Sequence, residues 1–310
     1  MKNIIIFIVL IIFSSCNRTE QNEKLSYKRI ALQGNENFYG FVSSKGDTII
    51  PLGKFDFLDS LDIKGMIRTH NKGKEGFIDI NQNIIIPFDY YEVGSFSENL
   101  AFVAKEKKGK YGYVNRKGKL VISYQFDVPS WFYKNGLASV GVNDKYGFIN
   151  KQGEVIIPIE YDYVISTKFD DFVVVSKNKK CAFFTKNGEK ITEFEYDKIY
   201  RNFYKGSQST VSNGLMLVEK NGEFAYFNKN IEEIIPFGKY ETAETFDNNR
   251  MAIVGNNNKY GLINENGELI TPIKFDYISE FIDGVYNFEK ESKEGILNKK
   301  GKVIFSSQFR

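Results

Sequence analysis

Histidine is almost missing from this chain. His70 is the single one, and it has neither a cysteine nor a second histidine near it in sequence. A Cys/His zinc site is therefore not expected. A Ser-His-Asp triad would have to use His70, and nothing around it resembles a nucleophile elbow. There is no P-loop and no dinucleotide fingerprint. Cysteine is scarce as well: only Cys16 and Cys181 are present. The net charge is just +3, with both signs interspersed and no basic stripe, so nucleic acid is not an expected partner. Proline occurs six times and tryptophan once, as Trp131. What the chain does have is 42% hydrophobic and 15% aromatic residues, enough for a substantial core.

The aromatic residues are not scattered. A bulky residue followed by glycine recurs at Tyr39-Gly40, Glu75-Gly76, Tyr111-Gly112, Tyr146-Gly147, Tyr260-Gly261 and Glu294-Gly295, and Cys181-Ala182 and Phe224-Ala225 are diverged copies. Successive steps are 34 to 36 residues, with one of 43. A fixed period of that size is the mark of a tandem repeat, so one array fits better than two unrelated domains. In the copy Tyr146 to Asp162, the run from Gly147 reads as a strand, Asn150-Lys-Gln-Gly153 as a type I turn closed by a left-handed residue, and Glu154 to Ile157 as the returning strand. The turn glycine recurs at Gly46, Gly118, Gly153, Gly188, Gly267 and Gly301, with Gln82 and Ile231 in the remaining slots. Five of the six prolines follow at one slot: Pro51, Pro87, Pro158, Pro236 and Pro272. Proline cannot donate to a ladder, so this slot should end the strand or lie on an edge.

An aromatic-acid pair comes next: Phe55-Asp56, Tyr91-Glu92, Phe126-Asp127, Tyr161-Asp162, Tyr196-Asp197, Tyr240-Glu241 and Phe275-Asp276. Short apolar segments such as Leu100 to Val103 then follow, giving three short strands per unit and a possible fourth at the aromatic-acid pair. The glycine after the bulky residue is expected to leave bare backbone for a neighbouring ring. A buried large ring contributes roughly 2–3 kcal/mol, so the repeated rings should supply much of the core. An acid present in every unit is best explained by what every unit needs, such as a turn bond to backbone N–H groups.

The string aromatic-Gly-Phe-Ile-Asn-x-x-Gly-x-x-Ile-Ile-Pro-x-x-Tyr-Asp resembles the WG-repeat family of bacterial proteins, over about residues 27–305. The family's tryptophan is Tyr, Phe, Cys or Glu here. The resemblance implies an envelope or interaction protein and supplies no catalytic residues. The expected fold is all-β, eight antiparallel units in a propeller-like closed ring, with an open β-solenoid or superhelix as the alternative.

At the N-terminus, Lys2, the apolar run Ile4 to Phe13 and Ser14-Ser15-Cys16 fall in the order of a signal peptide. The last three residues resemble a lipoprotein lipobox, which implies lipidation at Cys16, with Phe13 where leucine is usual. The expected organisation is a signal peptide over residues 1–15, a tether over 16–26 and the repeat domain over 27–310, held on the bacterial envelope and facing the periplasm. Cys181, in a ring slot, then has no disulfide partner and reads as a buried thiol. His70, between the first two repeats, reads as a solvated loop residue.

Function is expected where the repeat breaks. The long step places an insert near Arg201 to Asn213, with Arg201 and Tyr204 as candidate contacts. The third unit carries Trp131-Phe132-Tyr133 and an extra proline. Such aromatics anchor interfaces, or else fill the core under a longer loop. The reading is a non-catalytic, membrane-anchored module that contacts another envelope protein. No metal or cofactor is implied. The alternatives are a glycan-binding protein and a hydrolase built on a carboxylate pair.

Overall fold

The computed structural model describes residues 27–31, 39–165, 171–200, 202–204, 207–209, 215–247 and 249–308. Among them there are only strands, turns and bends. The chain divides into two compact units, Met1–Gln125 and Phe126–Arg310.

Each unit is a series of small antiparallel sheets made from consecutive strands. The first unit holds sheet one (Tyr27–Ala31, Tyr39–Ser43, Thr48–Ile50), sheet two (Phe57–Leu58, Met66–Asn71, Lys74–Asp79, Ile84–Tyr90) and sheet three (Glu92–Val93, Leu100–Ala104, Tyr111–Asn115, Leu120–Phe126). The second holds sheet four (Ala138–Val142, Lys145–Ile149, Val155–Tyr161), five (Tyr163–Ile165, Phe172–Lys177, Lys180–Thr185), six (Lys198–Ile199, Leu215–Lys220, Glu223–Asn228, Glu233–Ile235), seven (Thr242–Ala243, Met251–Asn256, Lys259–Asn264, Leu269–Phe275) and eight (Tyr277–Ile278, Val285–Lys290, Lys293–Asn298, Val303–Gln308). A full sheet thus has a lead strand, two central strands and an outer strand. The lead strand begins just after the acid of the aromatic-acid pair, so the fourth strand anticipated there exists and the pair marks the passage between sheets.

The turn before each outer strand forms as its residues dictate. Asn150 N–H donates to the Glu154 carbonyl at 3.0 Å and Gly153 N–H to the Asn150 carbonyl at 2.9 Å, while Asn150 Oδ1 accepts from the N–H groups of Gln152 and Glu154. Gly153 has φ 85°, in the left-handed region that glycine enters without a Cβ clash. Gln82 (φ 69°) and Ile231 (φ 64°) hold the same conformation with a side chain, which is unusual, above all for a β-branched residue.

The repeat glycine has a different cause from the one expected. A Cβ at Gly147 would lie 2.4 Å from the Ile157 carbonyl oxygen, and at Gly76 2.5 Å from that of Ile86. The outer strand shifts register at this point, between Tyr146/Phe148 and between Glu75/Phe77, and its backbone crowds the glycine. A carbonyl excludes the side chain in these copies, and at Gly295 the expected ring does so as well, with Phe288 Cζ 2.3 Å from the Cβ position. The prolines sit at this bulge. Pro87, Pro158 and Pro272 lie inside outer strands, whereas Pro51 and Pro236 follow directly after theirs. Because these strands are sheet edges, proline leaves no ladder acceptor without a donor.

The ring fourteen residues after the repeat glycine is buried, as at Phe126, Tyr161 and Phe275. In the second copy this is Tyr90, and Tyr91, which the aromatic-acid pattern selects, is exposed in the acid slot. Among the described residues the core is divided into clusters between neighbouring sheets. Met66, Phe77 and Ile86 of sheet two pack with Val93, Val103 and Val114 of sheet three. Phe148 and Ile157 of sheet four pack with Val173 and Phe184 of sheet five. Sheets five to eight continue the pattern. Each sheet buries one face on its neighbour, as in other repeat arrays.

Candidate functional site

Both departures from the repeat fall on one kind of connection, the one between a lead strand and the first central strand. In sheet four this is residues 129–137. Val128 bridges Gly141, and the Gly141 N–H donates to the Val128 carbonyl at 2.9 Å, standing in for a lead strand. Ser130 Oγ accepts the Ser139 N–H at 2.9 Å and donates to the Trp131 carbonyl at 3.1 Å, pinning the loop over the sheet. A tight turn then runs from Tyr133 to Leu137, with Gly136 at φ 87° and the Tyr133 N–H donating to the Leu137 carbonyl at 2.9 Å.

The three aromatics of this loop do different jobs. Phe132 is 1% exposed and belongs to the core. Its slot, just before the turn, holds Leu61, Phe96, Phe246 and Phe281 in other sheets, so it is a repeat-wide core position and offers no ring to a ligand. Trp131 is 53% exposed, and the corresponding residues are Ser60, Ser95, Thr245 and Glu280. The large ring there is peculiar to sheet four. Tyr133 is half-buried at the first position of the turn.

In sheet six the same connection carries the insert, folded as a hairpin of Asn202–Tyr204 with Ser207–Ser209, in which Tyr204 pairs with Ser207. Arg201 and Cys16 lie outside the described residues. At the hairpin's base Tyr200 donates to Glu219 Oε2 at 2.7 Å, with the Lys198 ammonium 4.1 Å from its ring centre. Burial, then the Glu219 bond, pushes the Tyr200 hydroxyl up to about 12. In an antiparallel meander these connections lie at the same end of their respective sheets.

The repeated acids are structural joints. Asp162 accepts the Lys145 ammonium at 2.8 Å on Oδ1 and the Asn178 N–H at 2.7 Å on Oδ2. Asp197 does the same with Lys180 and Asn221, each at 2.5 Å, and Asp276 with Lys259 and, at 2.7 Å, Glu291 N–H. Asp127 and Glu241 accept from Asn143 and Asn257. The lysine beside each of Asp162, Asp197 and Asp276, then the backbone N–H, holds the carboxyl below the usual range. The bonded N–H lies some sixteen residues on or more, in the hairpin of the next sheet, and not in the acid's own turn. Those hairpins carry two successive left-handed residues, such as Asn143-Asp144, Asn178-Lys179 and Asn257-Asn258, which makes them type I′. The Asn-containing pairs that separate the apolar runs are the signal for them.

Cys181 is buried, with its Sγ 2.9 Å from the Tyr163 hydroxyl, and burial pushes its thiol up, away from the reactive thiolate. His70 departs from the loop expected for it. It lies in the strand Met66–Asn71, its ring against Phe57 and its Nε2 2.9 Å from Glu75 Oε1. Glu75 fills the ring slot and also accepts the Val93 N–H, so the His-Glu contact is part of the frame. Glu244, in the sheet-seven connection, has a raised pKa through burial first and the Glu280 charge second. No group of three or more His, Cys, Asp or Glu that could hold a metal occurs among the described residues.

The sequence profile described as "WG containing repeat" matches residues 76–108, 111–146, 146–181, 224–260 and 260–293, more than half of the chain. No curated protein matches. Among solved structures, a crystal structure of the eukaryotic initiation factor is 13% identical, with a TM-score of 0.40 over 93% of this chain and 96% of that one. Apo AztD from Citrobacter koseri is 12% identical, with a TM-score of 0.33 over 93% and 96%. The dihydro-heme d1 dehydrogenase NirN is 8% identical, with a TM-score of 0.37 over 93% and 74%. Likeness at this level carries no functional argument.

Proposed function

The chain belongs to the WG containing repeat family, and from that premise we propose that it is a non-catalytic binding module, anchored to the bacterial envelope by a lipid on Cys16 and facing the periplasm, that contacts another envelope protein. The observation that carries this reading is the placement of Trp131 and the inserted hairpin. Both occupy the same connection of their sheets, where other copies have short, small or polar residues. Repeat proteins place insertions on one face and bind through it, and an exposed tryptophan is the residue type most often found as a binding anchor. The regular acids and lysines hold sheets to one another, which leaves the irregular residues for recognition.

The test is capture of the full-length lipidated chain from crosslinked envelopes, beside its Trp131→Ala variant. One dominant protein partner that the variant loses, with unchanged thermal unfolding, supports the proposal. A partner retained by the variant removes Trp131 from the site. Co-purifying cell-wall sugar, lost with Trp131→Ala, favours glycan binding instead, the reading that an exposed ring also suits.

A further inference from the structure

Five of the six junctions between neighbouring sheets within a unit use one seat. At these junctions the left-handed residue of the turn rests on the outer strand of the preceding sheet. A Cβ at Gly188 would lie 2.4 Å from the Ile156 carbonyl, at Gly267 2.9 Å from Ile235 Cγ1 and at Gly301 2.7 Å from Ile270 Cγ2. Gly118 stands 3.6 Å from Ile85 O and Ile86 Cγ1. At the first junction Gln82 takes the glycine's place, and its Nε2 donates to the Ile49 carbonyl at 2.8 Å. The seat keeps one position of the outer strand dry, while the residues two before it, such as Ile84, Val155 and Leu269, stay exposed. The residue ten positions after the repeat glycine is at most 3% exposed at Ile50, Ile86, Ile157, Ile235 and Thr271.

Sheet eight differs. The same position is Phe305, 55% exposed, next to Val303 and Ile304, which are as open. Three neighbouring large apolar residues on an outer strand are what a soluble edge normally avoids. At the other end of the array, the turn of sheet one, Ser43 to Asp47, is formed like the rest: Gly46 has φ 91°, and its N–H donates to the Ser43 carbonyl at 3.0 Å. Yet among the described residues no atom lies within 4 Å of where its Cβ would be. Among the described residues, the Ser43–Asp47 turn has no strand beneath it and the strand Val303–Gln308 has no turn upon it.

We propose that these ends are complementary between molecules: the Ser43–Asp47 turn of one copy seats on Val303–Phe305 of a second copy, head to tail. The occupant is a second copy because the chain itself shows what covers this kind of strand, and its own first sheet presents that turn unused. Such a contact is heterologous, using different surfaces on the two partners. It is independent of the Trp131 site.

The experiment uses the full chain with Lys45 replaced by a photo-crosslinking residue, mixed in equal amounts as light and isotopically heavy protein. Crosslinks from position 45 to residues 303–305 are expected, with heavy–light pairs at parity with like pairs. Ile304→Glu with Phe305→Glu, at exposed positions, should abolish them while the circular dichroism stays unchanged. Crosslinks in like pairs alone would mean that the contact forms within one chain, and that overturns the proposal. Absence of any crosslink to 303–305 overturns it too.

Discussion

In the first unit, arginines reach from one sheet to the next. Arg29 Nη1 donates to the Leu58 carbonyl and Arg68 Nη1 to that of Val93, both at 3.0 Å, while Asp62 of sheet two pairs with Arg116 of sheet three at 2.6 Å. In the second unit, carboxylates do the corresponding work. Asp162, Asp197 and Asp276 each take a lysine from the sheet behind and a turn N–H from the sheet ahead. The two units thus favour different bonds between sheets, guanidiniums on lead-strand carbonyls in the first and carboxylates on hairpin N–H groups in the second.

The largest expected effect should be the same in both units, because the backbone crowding is the same. Gly76→Ala and Gly147→Ala each force a Cβ onto a carbonyl, 2.5 and 2.4 Å away. Each should lose about 1–3 kcal/mol in urea unfolding, the range for overpacking. A neutral Gly147→Ala would show that the outer strand moves aside freely, and the close-approach account would fail. Alanine already fills this slot at Ala182, where sheet five has only the bridges Cys181↔Tyr196 and Phe184↔Lys190, and at Ala225, where sheet six keeps a short outer strand.

A smaller effect should separate the units. Ile231→Asn should raise stability by about 1 kcal/mol, since asparagine accepts the left-handed conformation that isoleucine resists. Gln82→Asn at the same slot should bring no such gain, because the bond to the Ile49 carbonyl would be lost. Equal gains at both sites would mean that this bond contributes nothing.

The smallest effect is in pH. Asp162, Asp197 and Asp276 have depressed pKa values, so their contribution is complete above the unfolded value of about 4 and is lost as pH falls through the folded value. Amide exchange, corrected for its intrinsic pH dependence, should show Asn178, Asn221 and Glu291 losing protection on acidification. The N–H groups near the arginine–carbonyl bonds of the first unit should change less. Asp162→Asn should flatten the response at Asn178 alone, and an unaltered response would detach the aspartate from the turn.

The period, the turns and their left-handed glycines, the extra strand and the place of the insert were all legible in the sequence, because each is a local demand of the backbone on one or two residue types. The misreadings came where a demand arises between strands. The carbonyl that crowds Gly147 belongs to Ile157, on another strand, and no spacing announces it. Tyr90 and Tyr91 are chemically alike, so only counting from Gly76 tells the buried ring from the exposed one. The count itself slips by one at Phe55 and Tyr240, where Gly53 and Gly238, both at φ 73°, add a residue after an outer strand that has already ended. Phe132 was grouped with Trp131 by adjacency, although alignment with Phe96, Phe246 and Phe281 separates them. His70 lies between copies, where the spacing predicts a loop, yet the lead and first central strands fill that interval.

The pairwise core has a consequence for inheritance. Each apolar cluster is shared by two neighbouring sheets, so removing or duplicating one whole period would leave every remaining interface of the same kind. A gene built this way can change its number of copies without redesigning its interior. A defective copy such as the fifth, with its outer strand reduced to bridges, harms little beyond its two neighbours. Mutations there are then screened by selection one period at a time, which leaves individual copies free to acquire a tryptophan or a hairpin that their siblings do not share.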